Sequence, residues 1–157
     1  MRVEYINPFV EATYNVLSEV LNGEVKRGEL YLKESSMRIM GVAALVGLAG
    51  DVEGRVLFDM TRDTALKVVG VMNGGEVFKT LDDMAKATIT ELANMITAQA
   101  VTKLHELGFK FDLTPPALFV GDNMEIANTL KIEALIVPME LENIGTIEVN
   151  VVIRERV

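Results

Sequence analysis

Cysteine is absent from this chain of 157 residues, and His105 is its single histidine. The first absence removes disulfides, zinc–thiolate sites and thiol nucleophiles, and makes a reducing compartment the natural home. The second removes any metal centre built from several imidazoles. Basic side chains are scarce, 15 against 23 acidic ones, for a formal charge of −8. With a sequence pI near 4.7, neither nucleic acid nor an anionic membrane is expected as the main partner, since both demand positive surface. Long apolar runs are missing too. The most apolar stretch, residues 39–50, is shorter than the roughly 20 residues a bilayer crossing needs, and its glycines suit a buried strand. The N-terminus, MRVEYINPFVEATYNVL, has no continuous apolar core or small-residue cleavage site of a signal peptide. A soluble, cytoplasmic protein is the expectation.

Half of the residues are hydrophobic and 24% are charged, a balance that folds. The length suits one domain over 1–157, large enough to bury about two-thirds of its unfolded surface without a metal or disulfide staple. Asn7-Pro8 reads as a helix start, with an asparagine cap and a proline at the first helical position. Val10, Thr13, Val16, Leu17, Val20 and Leu21 follow at helical spacing until Asn22-Gly23 ends the run. Residues 29–33, 38–48 and 55–60 then read as strands, the last two a hairpin across Gly50-Asp-Val-Glu-Gly54.

Thr61 is placed to cap a second helix through residue 72, closed by Asn73-Gly-Gly75, and Thr80 to cap a long helix over 81–107 that stops at Gly108. Pro115 and Pro116 hold their predecessors extended. Strands are expected at 117–120, 130–139 and 146–153, with a turn at 142–145. The implied fold is α+β: about six mostly antiparallel strands in one sheet, backed by helices on one side, in a loose duplication of helix plus three strands.

Within the long helix stands Glu91-Leu-Ala-Asn94. Glutamate and asparagine three positions apart project from one helix face, a carboxylate beside an amide. From 87 to 102 Glu91 is the only charged residue. On a wheel at 100° per residue, Ala85, Ile89, Leu92, Ala93, Ile96, Ala100 and Leu107 gather on the side that should meet the sheet, and Glu91 and Asn94 point away. Beside them lie Ala87 and Ala98, with Thr90 and Thr97 on one flank and Met84 and Met95 on the other. Solvated helix faces usually carry long charged side chains. A small, smooth, methionine-edged face therefore suits either a docking partner, for which Met84, Ala87, Thr90, Met95 and Ala98 form the surroundings of the pair, or packing inside the chain's own fold or dimer.

The bare pattern also occurs at Glu19-Val-Leu-Asn22, where Asn22-Gly23 already serves as a helix stop, so only the mid-helix setting distinguishes Glu91 and Asn94. His105 reads as a helix-end residue, because C-termini favour cations. Asn73-Gly-Gly-Glu76 reads as a turn rather than a phosphate loop, Asp82-Asp83 as acids of a first helical turn, and Asp51 and Glu53 as hairpin-turn residues without function.

Glu91-x-x-Asn94 in a long helix, the Thr61-capped helix and Asn73-Gly-Gly turn before it, and Pro115-Pro116 downstream together resemble the CheC, CheX and FliY group of chemotaxis phosphatases over essentially the whole chain. A single motif at this length resembles the one-site CheX type more than the two-site CheC type. Ala87 stands where the family pattern usually has Asp or Ser, and the proline spacing fits approximately. The resemblance implies a homodimer that removes phosphate from the aspartyl phosphate of the response regulator CheY. It also implies that the chain holds no cofactor of its own and that the partner supplies Mg2+. An acyl phosphate has a good leaving group, so the catalyst must chiefly place water in line. Asn94 suits that task, accepting from the water through its carbonyl and donating to a phosphoryl oxygen through its NH2. Glu91 would dock the partner by pairing with a lysine beside its phosphorylation site. The alternative is a non-catalytic docking module, as in flagellar switch proteins that resemble this fold.

Overall fold

The protein is described here by a computed structural model, which covers residues 3–34, 36–127 and 132–156. Helix α1 (Val3–Leu21) is followed by strands β1 (Val25–Arg27), β2 (Tyr31–Lys33), β3 (Ser36–Arg38), β4 (Gly41–Gly50) and β5 (Val52–Thr61). Helices α2 (Arg62–Met72) and α3 (Asp83–Glu106) come next, and then β6 (Phe111–Leu113), β7 (Ala117–Val120), β8 (Glu125–Ala127), β9 (Ala134–Leu141) and β10 (Gly145–Glu155). The expected α+β class and the antiparallel character hold, since every described strand pair is antiparallel.

The sheet is larger than six strands. Eight strands form it, in the order β1-β9-β10-β5-β4-β6, with β2 also on β9 and β7 also on β4, while β3 and β8 make a separate ribbon. The additional strands, β1, β3, β6 and β8, have three residues each, too few to show a period of two against the surrounding loop. The expected strand 130–139 begins at residue 134, and its first two positions lie outside the described residues. The duplication takes spatial form: each half makes a central hairpin, β4–β5 or β9–β10, and lends its short strands to the edge of the other half's hairpin. The strand order therefore reads alike from both edges.

Other boundaries differ from expectation as well: the strand expected at 38–48 divides, with Arg38 closing β3 and β4 running from Gly41 to Gly50. Helix α1 starts at Val3, so Pro8 lies inside it, where it forgoes the bond to the Glu4 carbonyl and sets its ring against that carbonyl, a local cost that the packing of the helix on the core outweighs. The β4–β5 turn shrinks to Asp51, because β5 starts at Val52. Asp51 accepts a hydrogen bond from the Lys110 amide (2.9 Å), and Glu53 pairs with Arg154 across to β10 (2.6 Å). A Cβ on Gly50 would come within 2.7 Å of the Phe111 Cα, so this corner needs glycine for β6 to approach.

All three helices lie on one face of the sheet. Their apolar stripes (Phe9 and Leu17 from α1, Val68 from α2, Ile89 and Ile96 from α3) join Val56, Met60, Val149 and Met139 in one buried core. Strand alternation sends the intervening side chains to the opposite face, where two small apolar clusters around Leu57 and Ile136 are buried. Among the described residues no helix is long and apolar enough to cross a membrane.

Candidate functional site

Helix α3 forms where the sequence places it, and its capping residue is Asp82 rather than Thr80. The Asp82 carboxylate accepts from the Ala85 amide (2.8 Å), and Asp83 follows in the first turn, so the acidic pair serves the helix start as its chemistry suggests. The helix ends at Glu106, with Leu107 as C-cap and Gly108 at φ +93 in the left-handed region glycine adopts readily. His105 sits in the last turn against the edge of Phe111, ring centroids 5.4 Å apart.

Ala85, Ile89, Leu92, Ala93, Ile96, Thr97, Ala100 and Leu104 are buried. Two assignments change. Thr97 belongs to the buried side, its hydroxyl donating to the Ala93 carbonyl (2.8 Å); a threonine that satisfies its hydroxyl on the preceding turn can be buried like valine. Leu107 is exposed, because the helix ends before it and the wheel no longer applies, and Leu104 takes the core position.

Glu91 and Asn94 are both exposed, as are Ala87 and Ala98, and Met84 is 56% exposed. Thr90 and Met95 are half-buried on the flanks, Thr90 with its hydroxyl on the Lys86 carbonyl (2.9 Å) and Met95 packed against the core. Among the described residues, neither the Glu91 carboxylate nor the Asn94 amide has a hydrogen-bond or ion-pair partner within the chain. The reading in which this face packs inside the chain's own fold is thereby excluded. Three positions correspond to about 4.5 Å of helix rise, so the two groups stand one above the other on a rigid support, free to engage something outside the chain. At the other Glu-x-x-Asn, Asn22 lies beyond the end of α1 with φ +50, so it shares no helical face with Glu19.

The back of the sheet holds a polar cluster that pattern reading did not single out. Asp59 is 1% exposed; one carboxylate oxygen accepts from the Met40 amide (3.0 Å), and the other has no partner among the described residues. Directly across the β5–β10 pair stands Glu148, which accepts from the Tyr31 hydroxyl. Burial pushes the Asp59 carboxyl up to about 6, opposed by the Met40 hydrogen bond and reinforced by the negative Glu148. Burial, then the bond to Glu148, pushes the Tyr31 phenol up to about 12. Nearby, the buried Asn150 accepts from Arg55 (3.2 Å), whose guanidinium is pulled below its usual range by burial. The available signal was a single polar residue inside an apolar run, Asp59 in VLFDM and Asn150 in VNVVI.

Comparison with known proteins agrees with this geometry. The family model described as "Chemotaxis phosphatase CheX" matches residues 42–140. The CheY-P phosphatase CheX of Thermotoga maritima is 31% identical over 126 residues, covering 80% of this chain and 81% of that protein. The CheX of the Borrelia burgdorferi CheX-CheY-BeF3-Mg2+ complex is 43% identical with a TM-score of 0.82, covering 98% of this chain and all of that one. A CheC-like superfamily protein from Shewanella sp. PV-4 is 28% identical with a TM-score of 0.87, over 98% and 99% of the two chains. A family model that spans more than half of the sequence, and relatives alike in both sequence and fold, make one conclusion plain: the chain belongs to the chemotaxis phosphatase CheX family.

Proposed function

We propose that this protein is a phosphatase that hydrolyses the aspartyl phosphate of a phosphorylated CheY-type response regulator in the cytoplasm. The observation that carries this reading is the exposed Glu91–Asn94 pair, without a partner among the described residues, in a helix stretch over 87–102 that has no other charge. The regulator holds the Mg2+ and the phosphoryl group; this chain adds an amide and a carboxylate. Asn94 accepts a hydrogen bond from the attacking water and donates one to a phosphoryl oxygen, which fixes the water in line with the scissile P–O bond without the repulsion a carboxylate would bring. Water adds to phosphorus, the bond to the aspartyl oxygen breaks, and inorganic phosphate leaves. Met84, Ala87, Thr90, Met95 and Ala98 form the surface on which the regulator lies: the alanines allow close approach and the methionines adapt to its contours.

The test is the rate of phosphate loss from phosphorylated CheY with and without the protein. Acceleration at substoichiometric amounts is expected. Binding without acceleration would leave a docking module in place of an enzyme.

Glu91 anchors the regulator through a lysine beside its phosphorylation site. Glu91→Ala is expected to raise KM about five- to tenfold, roughly 1 to 1.4 kcal/mol of lost docking, with kcat near wild type, and a charge swap with that lysine should restore part of the loss. Normal binding with reduced turnover would move Glu91 into the chemical step.

The assembly is a homodimer. Strand β2 lies at a sheet edge, paired only with β9, and exposes Leu30, Tyr31 and Leu32, the last 61% exposed. An open edge with apolar side chains is a template for a second chain. Light scattering should give the dimer mass at micromolar concentration, and Leu32→Glu should shift it toward the monomer. A wild-type monomer at that concentration would refute the assembly.

A further inference from the structure

The docking stripe on α3 is tied to the rest of the molecule by a hydrogen-bonded chain outside the Glu91–Asn94 pair. Asn73, the C-cap of α2, donates from its side-chain amide to the Val69 carbonyl (2.8 Å) and to the Thr88 hydroxyl oxygen (3.0 Å). Thr88 in turn donates to the Met84 carbonyl (2.9 Å), so its only hydrogen is spent on its own helix and a lone pair faces Asn73. Among the described residues this is the one side-chain hydrogen bond joining the end of α2 to α3.

Its location connects it to recognition. Thr88 is half-buried and stands one turn before Glu91, beside Ala87 and one turn after Met84. A threonine bonded to the carbonyl four residues back bends its helix slightly, and a second bond from Asn73 selects one such geometry. We infer that Asn73 and Thr88 are positioning residues, which hold the first turns of α3, with Met84 and Ala87, in line with Glu91 and Asn94. This role rests on the phosphatase reading above. Asn94 lies six residues beyond Thr88, about 9 Å along the axis. Losing the clamp therefore displaces the docking surface while leaving the water-placing amide on well-packed helix.

The experiment is steady-state dephosphorylation of CheY phosphorylated with acetyl phosphate, with thermal melts of each variant. Thr88→Val keeps the shape and removes the hydroxyl; Thr88→Ser keeps the hydroxyl. Thr88→Val and Asn73→Ala are each expected to raise KM about three- to tenfold with kcat within about twofold, because small misplacements of a positioning element are costly. Thr88→Ser should keep KM near wild type, and the double variant Asn73→Ala/Thr88→Val should be no worse than the poorer single one, as expected for two ends of one bond. A purely packing role would leave Thr88→Val unimpaired or make Thr88→Ser equally poor, and either result overturns the inference. An equal fall in kcat would do the same. Wild-type protein inert toward the phosphorylated regulator removes the phosphatase reading and this role together, a result distinct from an active wild type with unaffected variants.

Discussion

Asn94→Ala is expected to lower kcat for dephosphorylation by about 10²- to 10³-fold, the range found when a single preorganised hydrogen-bonding group is removed from an active site. Affinity for the regulator should change little. Asn94 is exposed and has no partner among the described residues, so its truncation leaves no buried group unsatisfied and no cavity, and thermal stability should stay near wild type. The loss would then be one of water placement. Asn94→Asp makes a sharper comparison: it keeps an acceptor for the water but loses the NH2 donor and brings a negative charge toward phosphoryl oxygens, so it should be as poor as alanine or poorer. An alanine variant that retained near-full turnover would remove Asn94 from the mechanism.

The second large effect is on stability and comes from the back of the sheet. Asp59 has one oxygen without a partner among the described residues and a folded-state pKa raised from 3.8 to about 6, chiefly by burial. The sign follows from linkage. The folded chain holds this proton more tightly than the unfolded chain, so the group's contribution is fully present below pH about 4 and is lost as pH rises through about 6. Above that, an ionised buried carboxylate faces Glu148, and the cost is on the order of 2–3 kcal/mol at 1.36 kcal/mol per pKa unit. Asp59→Asn removes the charge, keeps an oxygen for the Met40 amide and supplies a donor toward Glu148. It should raise unfolding free energy at pH 8 by roughly that amount and bring the variant and wild type together near pH 4. The groups that face Asp59 set the comparison: Glu148 from β10, bonded by Tyr31 from β2, and Lys33, whose charge opposes the shift. Chemical denaturation across pH 4–8 reads it directly. An Asn variant less stable than wild type at pH 8 would mean that the orphan oxygen has a partner in solution and that the charge is compensated.

Legibility in the sequence followed the range of the interactions involved. The Thr61 cap on α2, the Asn73-Gly-Gly stop and the Asn22 terminus of α1 depend on contacts within about four residues and are found where the residues place them, and the α3 stripe is found with Leu104 and Thr97 in it and Leu107 out. The misplacements have separate causes. Thr97 reads as a flank residue because its hydroxyl is polar in isolation, yet a bond to the preceding turn lets it be buried. Pro8 reads as a start because proline disfavours helix interiors, yet the packing of α1 on the core carries the helix through it.

Residue order by itself determined the α+β class, that a long helix carries a carboxylate and an amide on a sparsely charged stretch, and that neither thiols nor several histidines are present. Periodicity and composition are local properties that survive without coordinates, whereas the choice between neighbouring caps, Asp82 over Thr80, does not. Tertiary structure alone decided which faces meet water. The exchange of short edge strands between the halves, the burial of Asp59 opposite Glu148 and the Asn73–Thr88 contact join residues distant in sequence or in separate elements, so no local pattern announces them. The exposure of Glu91 and Asn94 is of the same kind. A helical wheel states which side chains share a side, and only the sheet packed against the opposite side leaves this one open to a partner.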